Sequence, residues 1–316
     1  MTSGAVVVLA GGTGGAKLAR GLLDHAGSDL VVLANPGDDV EIHGAHVAPD
    51  ADLVTFWLAD RIDERGWGLA DDTFAAMDML RELGDDVWFN LGDRDLALCL
   101  RRARRLADGA TMTEILAEHA AALGVAARVL PPSDEPVRTL VQADDRWWDF
   151  QEFMIRRLRM PPEPVVQDVR FVGAQDAQAT AEALAALGTA RAIVVGPSNP
   201  VISIRPILSV PGIADAIRAS PAPVVAVAPF VQGAVVKGPT ESFLHWAGVS
   251  ADALGTARYY GDLLDGLVTD EPIPSLDGLA LRVTDTLLGD PEARRRVAGE
   301  VLAFADELRA TKEAAA

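Results

Sequence analysis

The run Ala5-Val6-Val7-Val8-Leu9-Ala10, closed by Gly11-Gly12-Thr13-Gly14-Gly15, constrains the fold more than any other stretch. Apolar, largely β-branched residues without alternation describe a strand buried on both faces, as in a parallel sheet covered by helices. The glycines turn the chain, and helical spacing follows at Leu18, Leu22, Leu23 and Ala26. Leu30–Ala34 is a second strand of the same kind. The unit is β-loop-α-β, with a crossover expected to be right-handed.

Further strands are expected at Val87–Phe89, Ala192–Val195 and Val224–Val227. Helices are expected at Phe74–Leu83, Leu96–Leu106, Met112–Leu123, Ala177–Leu187, Ile213–Arg218 and from about Pro291 to Leu308, with Thr311–Ala316 a frayed tail. This alternation predicts an α/β, doubly wound, mostly parallel sheet. The stretch 125–173 differs, with several prolines, Trp147-Trp148 and the basic run Arg156-Arg157-Leu158-Arg159. It reads as an inserted, lid-like subdomain between core segments 1–124 and 174–316.

Composition narrows the partners. Net charge is −18 over 316 residues, which argues against nucleic acid or an anionic membrane as the main partner. The lone Cys99 excludes an internal disulfide and a cysteine-rich metal site. No apolar run approaches the ~20 residues of a membrane span, and no signal peptide is visible. A soluble, cytoplasmic protein acting on small molecules is expected.

The chemistry gathers at strand ends. The glycine loop would let backbone N–H groups approach a phosphate, with Gly12, Thr13 and Gly14 in the loop and Lys17 as counter-charge. It does not follow the dinucleotide pattern, because Lys17 occupies the third glycine position and Asn35 stands where an acid is usual. A bare βα turn without ligand is the alternative. Two acidic loops follow, Asn35-Pro36-Gly37-Asp38-Asp39 and Pro49-Asp50-Ala51-Asp52. Their carboxylates would repel one another unless a Mg²⁺ ion bridged them to a substrate diphosphate. Read blandly, the first is a turn and Asp50 or Asp52 a helix cap.

Two more loops belong with these. Asn90-Leu91-Gly92-Asp93-Arg94-Asp95 offers Asn90 to a planar ring or hydroxyl and Arg94 to a phosphate, with Asp93 or Asp95 alternatively capping a helix. Gly196-Pro197-Ser198-Asn199-Pro200 presents Ser198 and Asn199 to a base or ribose, or is a plain turn. The scattered histidines, His43 and His46 among them, form no metal motif. Arg101-Arg102 and Arg104-Arg105 are expected on a solvated helix face. Trp57, Trp67, Trp147 and Trp148 read as packing, or as platforms for a flat ligand.

Eight motifs occur in order: the glycine loop, N-x-G-D-D, P-D-x-D, L-G-D-R-D-x-A, Ser133–Thr139, Phe150–Phe153, Gly196–Leu208 and Lys237–Pro239. On these the chain resembles the 2-phospho-L-lactate transferase family of coenzyme F420 biosynthesis. The resemblance implies a Rossmann-like fold, usually dimeric, and a Mg²⁺-dependent transfer onto the deazaflavin Fo. The donor would be a guanosine diphosphate ester of phosphoenolpyruvate or 2-phospholactate, and GMP would leave. Asp52 and Asn90 match positions that contact Fo, the second of which varies within the family, and Asp52 is expected to be the catalytic residue that orients or deprotonates the Fo hydroxyl. Asp38 and Asp39 match an acidic pair assigned to the metal. Gly12, Thr13, Gly14, Lys17, Ser198 and Asn199 match loops facing the nucleotide. Cys99 departs from a histidine common among relatives, and Pro36 from threonine or valine.

Two rival readings remain at this level. One is an NAD(P)-dependent oxidoreductase, against which the failed glycine pattern counts. The other is a non-catalytic nucleotide-binding sensor.

Overall fold

The computed structural model describes residues 4–235 and 238–315. Lys237, part of the last motif, lies outside them. Seven parallel strands form the central sheet: β1 (Ala5–Ala10), β2 (Leu30–Ala34), β3 (Arg128–Leu130), β4 (Ala190–Val195), β5 (Val224–Val227), β6 (Gly266–Thr269) and β7 (Ala280–Val283). Their order is β7-β6-β5-β4-β1-β2-β3. That is a doubly wound, Rossmann-like arrangement, as the alternation predicts.

Alternate residues of β1 enter different cores, which is what an unbroken apolar strand does. Val6, Val8 and Ala10 pack on one face with Leu18, Leu22, Val54, Val297 and Val301. These come from helices α1 (Gly12–Ala26) and α2 (Pro49–Leu58) and from the terminal helix Pro291–Ala315. Val7 and Leu9 pack on the other face with Ala183, Ile213 and Ala257. The terminal helix runs through the stretch read as a frayed tail, up to Ala315.

The chain leaves β1 toward β2 and β3, then crosses back to β4 on the other side of β1. The loops after β1 and β4 therefore diverge at their carboxyl ends and open a crevice, the switch point where ligands bind in such sheets. The Gly196 N–H donates to the Leu9 carbonyl at 3.0 Å and ties the two loop bases together.

Three sequence expectations are corrected. Val87–Phe89 is not a strand, because β3 already pairs with the open edge of β2 through Val31–Arg128 to Leu33–Leu130. Left without a ladder partner, Val87, Trp88 and Phe89 pack beside Met77, Leu91 and Cys99. The span 125–173 contains β3, so its first residues belong to the central sheet; 138–172 carries a three-stranded antiparallel sheet, with Arg138–Ala143 central. The helix expected from Ala177 starts at Ala181, where the Thr180 hydroxyl accepts from the Ala183 N–H at 3.2 Å and caps it.

Among the described residues no single helix is long and apolar enough to cross a membrane. The apolar bent pair Pro200–Leu208 and Ile213–Ala219 packs against the sheet through Ile204, Ile207, Ile213 and Ile217.

Candidate active site

A cleft of about 680 Å³ opens at the switch point. Its floor is the glycine loop. Gly12 adopts φ +63°, a conformation that disfavours any side chain. Gly14 lies so close to the Pro197 carbonyl that a Cβ would overlap it. A backbone carbonyl cannot rotate aside, so Gly14→Ala is expected to cost about 1–3 kcal/mol through overpacking. Thermal unfolding of the variant against wild type checks this. Lys17, on α1, lines the cleft with its ammonium 5.7 Å from the Trp57 ring centroid.

The acidic loops meet beside this floor, but not as the sequence pairs them. Asn35 is fully buried, and its amide nitrogen donates to Asp38 Oδ1 and Asp50 Oδ2, each at 2.8 Å. Asp50 Oδ1 accepts from the Gly12 N–H at 2.6 Å. Asp38 Oδ2 accepts from Gln151 of the insertion at 2.9 Å. Asp50 is therefore not the cap of α2, whose N-cap position is Ala48; it braces the glycine loop. Burial, then the neighbouring Asp50 charge, pushes the Asp38 carboxyl well above the usual range. Burial also pushes Asp50 up to about 6.

Asp39 turns out of the cleft. Its Oδ2 lies 3.3 Å from His46 Nε2 and 3.8 Å from Arg138, and it lines a separate cavity of about 330 Å³ behind the loop. Gly37-Asp38 forms a turn closed by the Asp39 N–H donating to the Pro36 carbonyl at 3.2 Å, and the two side chains of the Asp38-Asp39 pair expected for a metal leave it toward different cavities. The pair that does converge is Asp38 and Asp50. Two buried carboxylates sharing one amide donor, each disfavoured in its charged form, are a hard-oxygen donor set that fits a divalent cation.

Asp52 sits on the first turn of α2 and lines the cleft. One of its oxygens is bound to Arg102 in a short buried ion pair. The other, Oδ2, is buried without a partner among the described residues. Arg102 is fully buried, its Nη1 donating to the His46 carbonyl at 2.9 Å. This overturns the solvated face expected for the arginine run. Asp95, Cys99 and Arg102 recur at helical spacing along Asp93–Ala107 and form its buried stripe, a signal available in the sequence. Arg104 is exposed, while Arg101 and Arg105 are half-buried and both pair with Glu118.

The caps of the Asn90–Asp95 loop are exchanged between helices. Asp93 accepts from Thr73 and from the N–H groups of Ala75 and Ala76, capping the helix Ala75–Glu82. Asp72 accepts from the N–H groups of Arg94 and Asp95 and caps Asp93–Ala107. Asn90 lines the cleft, and its oxygen accepts from Arg81 at 2.6 Å. Arg94 is exposed and not part of the cleft wall, because its position on the first helical turn points it away.

Opposite α2, Ser198 Oγ accepts from the Gly11 N–H at 3.4 Å. Asn199 caps the following turn through Oδ1, which accepts from Val201 and Ile202, while its Nδ2 is buried without a partner among the described residues. Trp67, Trp88, Phe89 and Phe56 line the end of the cleft beyond Asp52. The cleft thus combines glycine, serine and asparagine groups, the Asp38, Asp50 and Asp52 carboxylates, and a set of aromatic side chains.

Comparison with known proteins shows the family. The family model described as 2-phospho-L-lactate transferase CofD matches residues 6–282. The chain belongs to this CofD family. It is 38% identical over 320 residues, 96% of this chain and 98% of the other, to a phosphoenolpyruvate transferase of Kitasatospora aureofaciens. It is 35% identical over 268 residues, 84% of this chain and 87% of the other, to a 2-phospho-L-lactate transferase of Methanosarcina mazei. Among solved structures, a UPF0052 family member from Bacillus halodurans shares the fold at TM-score 0.63 and 18% identity, covering 96% of this chain and 99% of that one. The CofD-family chain is therefore an enzyme of the transferase class.

Proposed function

We propose that this CofD-family enzyme transfers a phosphoenolpyruvyl group from its guanosine diphosphate ester to the terminal hydroxyl of Fo, giving dehydro coenzyme F420-0 and GMP. The observation that carries the reading is a single cleft lined by the glycine floor, by Asp38, Asp50 and Asp52, and by the aromatic side chains of Phe56, Trp67, Trp88 and Phe89. Three relatives named phosphoenolpyruvate transferase, each 38% identical across 96% of the chain, favour that three-carbon unit over 2-phospholactate.

Each wall has a role in this reading. The glycine loop, with Lys17, and the Ser198-Asn199 loop hold the guanosine diphosphate part, and the unpartnered Asn199 amide is a donor for it. Asp38 and Asp50 would hold a Mg²⁺ ion, which supplies charge neutralisation at the diphosphate. The aromatic end takes the flat deazaflavin, with Asn90 at its edge. Asp52 Oδ2 accepts a hydrogen bond from the attacking hydroxyl. Positioning and charge compensation carry most of the catalysis.

Incubation with Fo, the phosphoenolpyruvyl donor and Mg²⁺ should yield a phosphodiester, two hydrogens lighter than the 2-phospholactyl product by mass spectrometry. The absence of any Fo adduct would remove the reading. Asp38→Asn and Asp50→Asn should each raise the Mg²⁺ concentration for half-maximal rate by about tenfold or more. Asp39→Asn should leave that concentration unchanged, since Asp39 faces the other cavity; magnesium titrations of the three variants decide it.

A further inference from the structure

Asp95 has no assigned role, yet it lines the same cleft as Asp52. One oxygen from each carboxylate and the Cys99 sulfur all lie within 4.8 Å of one another. The surroundings of the two carboxyls differ sharply. Asp52 is committed to the buried Arg102. Among the described residues the Asp95 carboxyl accepts a side-chain hydrogen bond only from the weak Cys99 thiol donor, at 3.8 Å. Gly68, at φ +70°, leaves the cleft side of Asp95 open: a Cβ there would stand 3.9 Å from its Oδ2.

We propose that Asp95 is the carboxylate that takes the proton from the attacking hydroxyl, while Asp52 holds that hydroxyl in place. This rests on the proposed transfer to Fo and says which of two neighbouring acids does which task. As the hydroxyl oxygen bonds to phosphorus, the bond from phosphorus to the bridging oxygen of the departing phosphate breaks. That electron pair leaves with GMP. The hydroxyl proton moves to Asp95, which returns it to water after product release. A carboxylate bound to a guanidinium is a poor proton acceptor and a good anchor; one without a cation of its own is the reverse.

The charges around Asp95 support the division. Asp52 faces it from α2, Asp72 from the loop before the helix Ala75–Glu82, and Cys99 and Arg102 from its own helix. Burial, then the Asp52 charge, raises the Asp95 carboxyl to about 7, with Arg102 opposing. A base poised there changes form near the working pH. It must be deprotonated to act, so activity should rise with pH through about 7. The linkage sign is separate: a carboxyl raised in the folded state favours folding at low pH, and that contribution is lost as pH rises toward 7.

The test compares wild type with Asp95→Asn, using Fo and the guanosine diphosphate ester under saturating Mg²⁺. Wild type should show an acid limb in kcat/KM near pH 7. Asp95→Asn should cut kcat by about a hundredfold or more, leave the KM for Fo within a few-fold and flatten the limb. Its melting temperature should match wild type at low pH and exceed it increasingly as pH rises. A variant that keeps the acid limb, or turns over at near wild-type rate, overturns the role. So does a melting-temperature difference that does not change with pH, which needs no substrate. Wild-type enzyme that makes no Fo adduct overturns the substrate reading, and this role with it.

Discussion

In the proposed transfer to Fo, Asp52→Asn should reduce kcat by about a hundredfold or more. The reason is geometric. Asp52 Oδ2 is a buried acceptor with no donor among the described residues, and Asp52 lines the cleft. An amide rotated to keep its oxygen toward Arg102 would turn an NH₂ group toward the hydroxyl and lose the acceptor there. Read from the motif, this position orients or deprotonates the hydroxyl, and its substitution leaves the fold unperturbed. The structure adds a stability cost, because the variant leaves the fully buried Arg102 without a charged partner. Steady-state kinetics with Fo and thermal unfolding of the same preparation separate the two effects. A near-wild-type kcat would remove Asp52 from the reaction.

Arg102→Met should be the most destabilising single change among the charged residues around the cleft, by about 3–5 kcal/mol. Removing the guanidinium strands the Asp52 carboxylate in the interior and leaves the His46 carbonyl without its donor. The double variant Asp52→Asn/Arg102→Met should recover a large part of that loss, because a buried pair removed as a whole costs far less than a broken one. Denaturant unfolding of the singles and the double gives the coupling. If the two losses simply add, the pair contributes nothing as a pair.

His119 belongs to this network. Burial, then the neighbouring Arg102 charge, lowers its pKa to about 4. It therefore stays neutral at pH 7 and adds no second cation beside Arg102.

Much of the architecture was legible in the chain. Unbroken apolar runs such as Ala5–Ala10 and Leu30–Ala34 can only be buried on both faces, and alternation with helices makes the sheet parallel. The glycine loop and the acidic loops pointed to the edge of the sheet where the cleft opens. Val87–Phe89 misled because an apolar triplet is compatible with a strand but does not reveal whether a sheet edge is free to pair with it. Arg102 misled because a run of arginines suggests solvent, although Asp95, Cys99 and Arg102 share one helical face.

The sequence by itself determined the fold class, the glycine floor and which loops carry carboxylates, because periodicity and local sterics are written along the chain. Only the tertiary structure decided how those carboxylates divide. Asp38 joins Asp50 through the Asn35 amide, Asp39 faces away, and Asp52 takes Arg102 while Asp95 is left without a cation of its own. Those partnerships bring together residues up to about fifty positions apart. They depend on burial and on which groups lie within a few ångströms, and neither is a property of spacing along a chain.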